Sequence, residues 1–117
     1  MHGLAEVVRG LTEREGVTAA VVVSADGLPI HHEGRSVGDP DALAALTVTL
    51  LRPAARLGDS ARAGELTRGV FEYAGGLAVL TAVRGGNWLL VLTEPGADVG
   101  TLLYDLRRDS PTLAALL

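Results

Sequence analysis

Two neighbouring segments, residues 76–83 and 88–93, read as β-strands that are apolar on both faces, and this feature constrains the fold most strongly. In the first segment, one face carries Leu77, Val79 and Val83, and the other carries Ala78, Leu80 and Ala82. A strand of this kind has to be covered on both sides, because either face would otherwise lie in water. The sequence therefore predicts a sheet that lies between helical layers.

The strands of this sheet are predicted to be antiparallel. Strand-like runs occupy residues 17–24, 28–33, 65–73, 76–83 and 88–93. Turn sequences, including Asp26-Gly27 and Gly85-Gly86, join consecutive runs and are too short for the crossovers that parallel strands need. Pro29 has no amide hydrogen to donate, so the second strand should lie at an edge. Strict alternation in the first strand places Val17 on the same face as Val21.

Three helices complete the predicted order, which is helix, two strands, helix, three strands, helix. The first spans residues 3–14, with apolar residues at helical spacing. Asp39-Pro40 opens the second, which should run to about Leu57 and end near Gly58. Asp98 can cap a third helix that continues through Arg107, and residues 110–111 could start one further short turn. We expect one α+β domain over residues 1–117.

The second predicted helix is more apolar than packing on one side usually requires. Its two stripes together cover roughly 220° of the helix circumference. Either the helix is well buried within its own domain, or one stripe lies on the sheet and the other on a partner chain. The two stripes are Leu43, Leu46, Leu50, Pro53 and Leu57, and Ala44, Val48, Leu51 and Ala55.

The run at residues 65–73 favours the second of these possibilities. It contains Val70 and Phe71 and no proline, and an unprotected edge strand invites pairing with another chain. Together with the two-striped helix, it predicts a homodimer whose sheet continues across the interface. The predicted interface residues are Leu43, Leu46, Leu50, Leu51, Val70 and Phe71. Pro53 should kink or end the helix, because it removes the donor for the Thr49 carbonyl.

Composition excludes several classes of function. The net charge of −4 argues against a general nucleic-acid binder. The chain has no Lys, which a P-loop requires, and no Cys for disulfides, thiolate nucleophiles or Cys-bound zinc. No apolar run approaches the ~20 residues that span a bilayer, and the first residues do not resemble a signal peptide. We therefore expect a cytoplasmic protein.

No residue pattern indicates catalysis, a metal site or a cofactor. His31 and His32 are adjacent on a strand and point to opposite faces, so both cannot easily ligate one metal. Helix capping explains Asp39 better than a catalytic carboxylate pair does. Arg35 and Arg84 have loop positions that an arginine finger would need, but loop arginines are usually only solvated. We expect that the chain is not an enzyme.

Three stretches, residues 21–30, 41–46 and 100–108, resemble bacterial members of the roadblock, or dynein-light-chain-seven, family. The resemblance implies a five-stranded sheet in the order 2-1-5-4-3, with one helix on one face and two on the other. It also implies dimers formed through the second helix and third strand. Bacterial members are associated with Ras-like GTPases as activators or regulators, and eukaryotic relatives with dynein and scaffolds. The run Arg52-Pro53 departs from the usually continuous second helix.

Two functions follow from these observations. The first is a dimeric regulator or scaffold of a small Ras-like GTPase, which would contact the polar side of the second helix at Thr49, Arg52 and Arg56. The alternative is a small-ligand sensor of profilin-like or longin-like fold without a GTPase partner. The walls of its pocket would be small and apolar, with few convergent polar groups.

Overall fold

The computed structural model describes residues 3–35 and 38–117, so that Met1, His2, Ser36 and Val37 lie outside the described residues. Its elements follow the predicted order, with a 3₁₀ turn at Arg84–Gly86 between the last two strands. They are α1 (Leu4–Thr12), β1 (Val17–Val23), β2 (Pro29–Gly34), α2 (Pro40–Ser60), β3 (Arg68–Tyr73), β4 (Gly76–Val83), β5 (Asn87–Thr93) and α3 (Val99–Ala115). Within the described ranges, no helix combines the length and apolar character needed to cross a membrane.

The five strands form one antiparallel sheet in the order β2-β1-β5-β4-β3, as predicted. The middle strand is β5, which pairs with β1 on one side, where Val21 lies opposite Leu90, and with β4 on the other. The strand β2, which begins at Pro29, forms one edge, and β3 forms the other. Both edge assignments made from the sequence are therefore confirmed.

Helices cover both faces of the sheet, and each layer encloses its own apolar cluster. On one face, α1 and α3 pack against the sheet through Val8, Leu11, Leu102, Leu106 and Leu113. On the other face, α2 packs against a cluster formed by Val21, Val23, Ala44, Leu80 and Leu90. Burial of a Val or Leu side chain contributes about 1.5–3 kcal/mol, so these two clusters dominate the stability of the fold.

The face assigned to Val17 is wrong. Val17 belongs to the cluster under α1 and α3 together with Val22, whereas Val21 lies under α2. The cause is a register shift between Val17 and Ala19 in the β1–β5 pairing. An irregularity of this kind interrupts the two-residue alternation, so strict alternation fails at the first residue of the strand.

The helix α2 is longer than predicted and does not end at Pro53. Asp39 caps it as expected, accepting a hydrogen bond of 3.0 Å from the Asp41 amide. The helix continues to Ser60 because the proline and Thr49, whose carbonyl loses its donor, are both exposed. Water can therefore replace the missing hydrogen bond.

Two other boundaries also differ from the prediction. Residues 110–111 do not begin a separate turn, because α3 is a single helix that continues through Pro111 to Ala115, and Leu113 is buried beyond the proline. The strand β3 begins at Arg68 rather than Glu65. The β3–β4 register would place Glu65 opposite Arg84, where β4 has ended and the 3₁₀ turn begins.

An ion-pair network joins the end of α1 to α3. The side chain of Asp105 is buried and forms a salt bridge with Arg14. It also pairs with Arg108 at 3.1 Å, and Arg108 reaches Asp109 at 3.2 Å. These ion pairs tie the turn after α1 to α3 on the face opposite α2.

Candidate functional site

The helix α2 has one face on the sheet and another in solvent. Ala44 and Thr47 are buried against the sheet, with Leu51 partly buried beside them. On the outer side, Leu46 is 64% exposed and Leu57 is 71% exposed. The two predicted stripes therefore have different environments, and the outer stripe is apolar surface that a single chain leaves in water.

A groove of about 230 Å³ separates this outer stripe from the open edge of the sheet. Leu46 and Leu50 of α2 line one wall, and Phe71 and Tyr73 of β3 line the other. Tyr73 is 61% exposed. We call these four residues the α2–β3 surface. Leu57 lies two helical turns beyond Leu50 and extends the apolar character of this surface along α2.

The six predicted interface residues fall into two groups. Leu46, Leu50 and Val70 are exposed, as an interface residue of a single chain should be. The other three are partly buried and pack on the cluster beneath α2, so they also serve the core of their own chain. This second group is Leu43, Leu51 and Phe71.

Sequence reasoning missed one residue of the surface, Tyr73. The signal was present, because Tyr73 follows Phe71 by two residues on a strand and therefore shares its face. The apolar run predicted at residues 70–71 thus continues, on the face of Phe71, to Tyr73 at the end of the strand.

The three predicted partner-contact residues are all exposed on α2. The Thr49 hydroxyl donates a 3.0 Å hydrogen bond to the Ala45 carbonyl within the helix. In the part of the chain that the structure describes, neither Arg52 nor Arg56 has an ion-pair partner. Arg52 also lines a second groove, of about 370 Å³, that runs along the other side of α2 beside Trp88. We call Thr49, Arg52 and Arg56, on the polar side of α2, the cationic strip.

His31 and His32 lie on β2, away from this surface. The ring of His31 is 2.9 Å from Glu33, which also accepts a hydrogen bond of 3.2 Å from Arg9, while His32 is exposed. The hydrogen bond from Arg9 lowers the pKa of the Glu33 carboxyl. Over residues 3–35 and 38–117, no group of three or more His, Asp or Glu side chains has the arrangement of a metal site.

The two loop arginines have ordinary surroundings. Arg35 forms an exposed salt bridge of 3.0 Å with Glu94. Arg84 lies in the exposed 3₁₀ turn before β5. An arginine finger has to reach a partner's γ-phosphate, and both residues lie outside the α2–β3 surface.

Comparison with known proteins identifies the family. A model of the Roadblock/LC7 domain matches residues 4–93. The chain belongs to the Roadblock/LC7 family. The resemblance stated from the sequence is thereby confirmed, and the order of the strands and the division of the helices between the two faces are those it implied.

Solved structures of roadblock domains agree with this assignment. A Roadblock/LC7 domain from Streptomyces avermitilis is 32% identical, with 96% of this chain and 99% of that chain covered and a TM-score of 0.73. MglB from Myxococcus xanthus is 20% identical, with 97% and 86% covered and a TM-score of 0.88. An MglB with a tetrameric arrangement is 15% identical, with 99% and 92% covered and a TM-score of 0.88. A search of curated proteins found no match.

Proposed function

We propose that this roadblock domain is a non-catalytic, homodimeric regulator or scaffold of a small Ras-like GTPase in the cytoplasm. The observation that carries the proposal is the α2–β3 surface, which places exposed Leu and Tyr side chains beside an open β-strand edge. Both features are costly for an isolated soluble chain and are relieved by self-association. The tetrameric arrangement of MglB, a protein of the same fold, supports an assembled state.

The proposed GTPase contact is the cationic strip of Thr49, Arg52 and Arg56. Arg52 and Arg56 have no carboxylate partner within the described chain, and they lie on α2 beside the apolar stripe. In a dimer formed through α2, the strips of the two chains would lie close together and form one larger cationic surface. Such a surface is suited to a partner with acidic side chains, because complementary charge speeds association and selects the partner.

The ligand-sensor alternative has less support. It requires a pocket between the sheet and α2, but this layer is filled by Ala44, Thr47, Leu80 and Leu90, which are all buried. The two grooves beside α2 are open surface features that a second protein could cover. A small molecule that raises the melting temperature of the isolated domain would favour the alternative.

The GTPase contact can be tested with a purified small Ras-like GTPase, loaded with GDP or with a non-hydrolysable GTP analogue. We expect the domain to bind the two forms with different affinities, and Arg52→Glu and Arg56→Glu each to weaken binding at least tenfold. Arg62→Glu, a charge reversal just beyond the end of α2, is the matched control and should bind as the wild type does. Equal binding of both nucleotide states would contradict a regulatory role.

A further inference from the structure

One arginine side chain has a buried donor without an acceptor. Arg68, the first residue of β3, lies opposite Thr81 of β4, and its Nη2 atom donates to the Thr81 hydroxyl at 3.1 Å. Its Nε atom is buried and, within the described part of the chain, is the only buried side-chain nitrogen or oxygen that lacks a hydrogen-bond partner. Buried donors are almost always satisfied in folded proteins, so this exception needs a physical explanation.

The side chains of Arg68 and Thr81 lie on the face of the sheet that α1 and α3 cover. Thr81 is 2% exposed and stands two residues from both Val79 and Val83, which belong to the cluster under these helices. Alternation along β4 therefore gives Thr81 the same face, and Arg68 reaches it from the edge strand. The unsatisfied donor is thus on the opposite side of the sheet from α2.

A second arginine approaches this side chain from α3. Arg107 follows Leu106, which is buried in the same cluster as Val79. Burial lowers the pKa of the Arg68 guanidinium, and the nearby positive charge of Arg107 lowers it further. Arg107 itself is exposed, whereas Arg68 is partly buried. Two guanidinium groups, an inner one and an outer one, therefore lie near each other.

Neither of these two arginines has a carboxylate partner among the residues that the structure describes. Asp105 and Asp109 lie two residues to either side of Arg107 on α3, but both form ion pairs with Arg108. Adjacent arginines of one helix thus differ, because Arg108 has two carboxylate partners and Arg107 has none.

The strand β3 does not supply the missing negative charge either. Its only acidic residue is Glu72, which is four residues from Arg68, or about 13 Å along an extended strand. Like charges at close range repel each other, and an anion that accepts hydrogen bonds from both guanidinium groups relieves the repulsion. A water molecule can satisfy a donor but cannot neutralise a charge.

The charge of the pair selects among anions. A guanidinium group presents a planar fork of N–H donors that matches two oxygens of a carboxylate or of a phosphate. A carboxylate carries one negative charge and neutralises half of the pair. A dianionic phosphate group neutralises both charges and offers three or more acceptor oxygens.

We propose that Arg68 and Arg107 form a binding site for a phosphate group on the face of the sheet opposite α2. Arg68, held by its hydrogen bond to Thr81, is the inner contact, and Arg107 is the outer contact, open to solvent. The ligand class is the phosphate dianion, either free or as a monoester. The site lies on the other side of the sheet from the cationic strip, so it goes beyond the proposed GTPase contact and does not depend on it.

NMR titration of the wild-type chain with inorganic phosphate, at constant ionic strength, tests the site. We expect the Arg68 Nε–H resonance to shift, with a dissociation constant on the order of 1 mM or below. Arg68→Gln and Arg107→Gln should each weaken binding at least tenfold, since each removes a charge-assisted contact.

The neighbouring arginine of α3 provides the matched control. Arg108→Gln removes the same charge from the next residue and should bind phosphate within about threefold of the wild type, because its guanidinium is engaged by carboxylates. Equal phosphate binding in the wild type and in the Arg68, Arg107 and Arg108 variants would overturn the site.

Melting temperatures in two salts separate binding from a purely structural role. In chloride, Arg107→Gln should melt at or above the temperature of the wild type, because the substitution removes a like charge from the surroundings of Arg68. In phosphate at equal ionic strength the order should reverse, because only the intact site gains stability from the bound anion. A variant that melts below the wild type by the same amount in both salts would overturn the proposal.

Three probes test the class of ligand: inorganic phosphate, glycerol 3-phosphate and acetate. Acetate should bind at least fivefold more weakly than phosphate, because it carries a single charge. Equal binding of acetate would overturn the assignment to phosphate. Binding of glycerol 3-phosphate as tight as that of the free ion supports a site for a phosphate carried on a larger molecule, and binding of the free ion alone supports a site for phosphate itself.

The outcomes are separate from those for the proposed function. The variants Arg52→Glu and Arg56→Glu change the opposite face and should bind phosphate as the wild type does, whatever their effect on a GTPase. Loss of phosphate binding in these variants to the same extent as in Arg68→Gln would indicate general attraction to basic side chains, and would overturn a specific site at Arg68 and Arg107.

Discussion

The two edges of the sheet differ in how they meet solvent. The edge strand β2 begins with Pro29 and carries His31, His32 and Glu33, and Arg9 of α1 reaches across to Glu33. The other edge strand, β3, has no proline, and its sequence between Arg68 and Tyr73 is mostly apolar or small. One edge of the sheet is thus protected against pairing and the other is open, so that any self-association through the sheet is directed to a single side.

The two edges also offer matched backbone positions. On β2, the Arg35 amide donates to the Thr18 carbonyl at 3.1 Å, so alternation turns the amide of His32 outward. On β3, the Ala82 amide of β4 donates to the Thr67 carbonyl at 2.9 Å, so alternation turns the amide of Val70 outward in the same way. A proline at either position removes a donor that the isolated chain does not use.

The largest expected effect comes from proline at these two positions. If the proposed homodimer pairs through the open β3 edge, Val70→Pro should weaken self-association on the order of 100-fold or more, because it deletes a donor at that edge. His32→Pro should leave the dimer intact. Sedimentation measures both, and circular dichroism confirms that each chain is folded. Equal loss of association in the two variants would remove the proposed difference between the edges.

A charge on the α2–β3 surface should have the next largest effect. Leu46→Asp places a carboxylate on the apolar α2–β3 surface and should weaken the proposed dimer about tenfold. The stability of the single chain should change little, because the Leu46 side chain is already exposed to water. Leu28→Asp, at the turn before β2, is the control, since Leu28 is 62% exposed and Leu46 is 64% exposed. If the two variants associate equally well, exposure alone does not mark the interface.

The ion pairs between α1 and α3 should affect folding and not association. Asp105→Ala leaves Arg14 without its carboxylate and should lower the free energy of unfolding by about 2 kcal/mol, less than a fully buried pair because both arginines are partly exposed. Asp109→Ala removes only a partly exposed partner of Arg108 and should change the free energy of unfolding by less than about 0.5 kcal/mol. Urea denaturation measures both values. A changed dimer dissociation constant in Asp105→Ala would link the two faces.

The smallest effect concerns the pH dependence of the protected edge. The folded-state pKa of Glu33 lies below its ordinary value of 4.5, so its contribution to stability is present above that pH and is lost as the pH falls through the lowered pKa. The melting temperature of the wild type should therefore exceed that of Glu33→Gln near neutral pH, and the difference should shrink below about pH 4.5. A difference that grows as the pH falls below about 4.5 would contradict this sign.

Most of the fold follows from local patterns in the sequence. The two-sided apolar strand at residues 76–83 required helices on both faces, and short glycine turns required antiparallel neighbours. Pro29 identified one edge because proline has no amide hydrogen to donate to a neighbouring strand, so a strand that contains it lies at the edge of a sheet. These features act over a few residues, so they can be recognised without knowledge of the tertiary structure.

The incorrect and missing predictions depend on contacts between distant residues. The bulge after Val17 is set by how β1 meets β5, and the salt bridge from Arg14 to Asp105 joins positions far apart in the chain. The neighbouring sequence does not distinguish Leu51, which is partly buried against the sheet, from Leu46, which is exposed to water. Pro53 was expected to kink or end α2, but the exposed position at which the helix tolerates it is visible only in the folded chain.

The burial of Leu102, Leu106 and Leu113 by α3 has a consequence for the order in which the protein is made. A ribosome releases the chain from its N-terminal end, so all five strands emerge before the helix that completes their cover. Until α3 docks, the nascent sheet has an apolar face as well as an open edge, and both can attract another chain. Docking of α3 therefore covers the apolar face of the sheet. After this step, the surfaces of the new protein that can attract another chain are the open edge at β3 and the exposed stripe of α2.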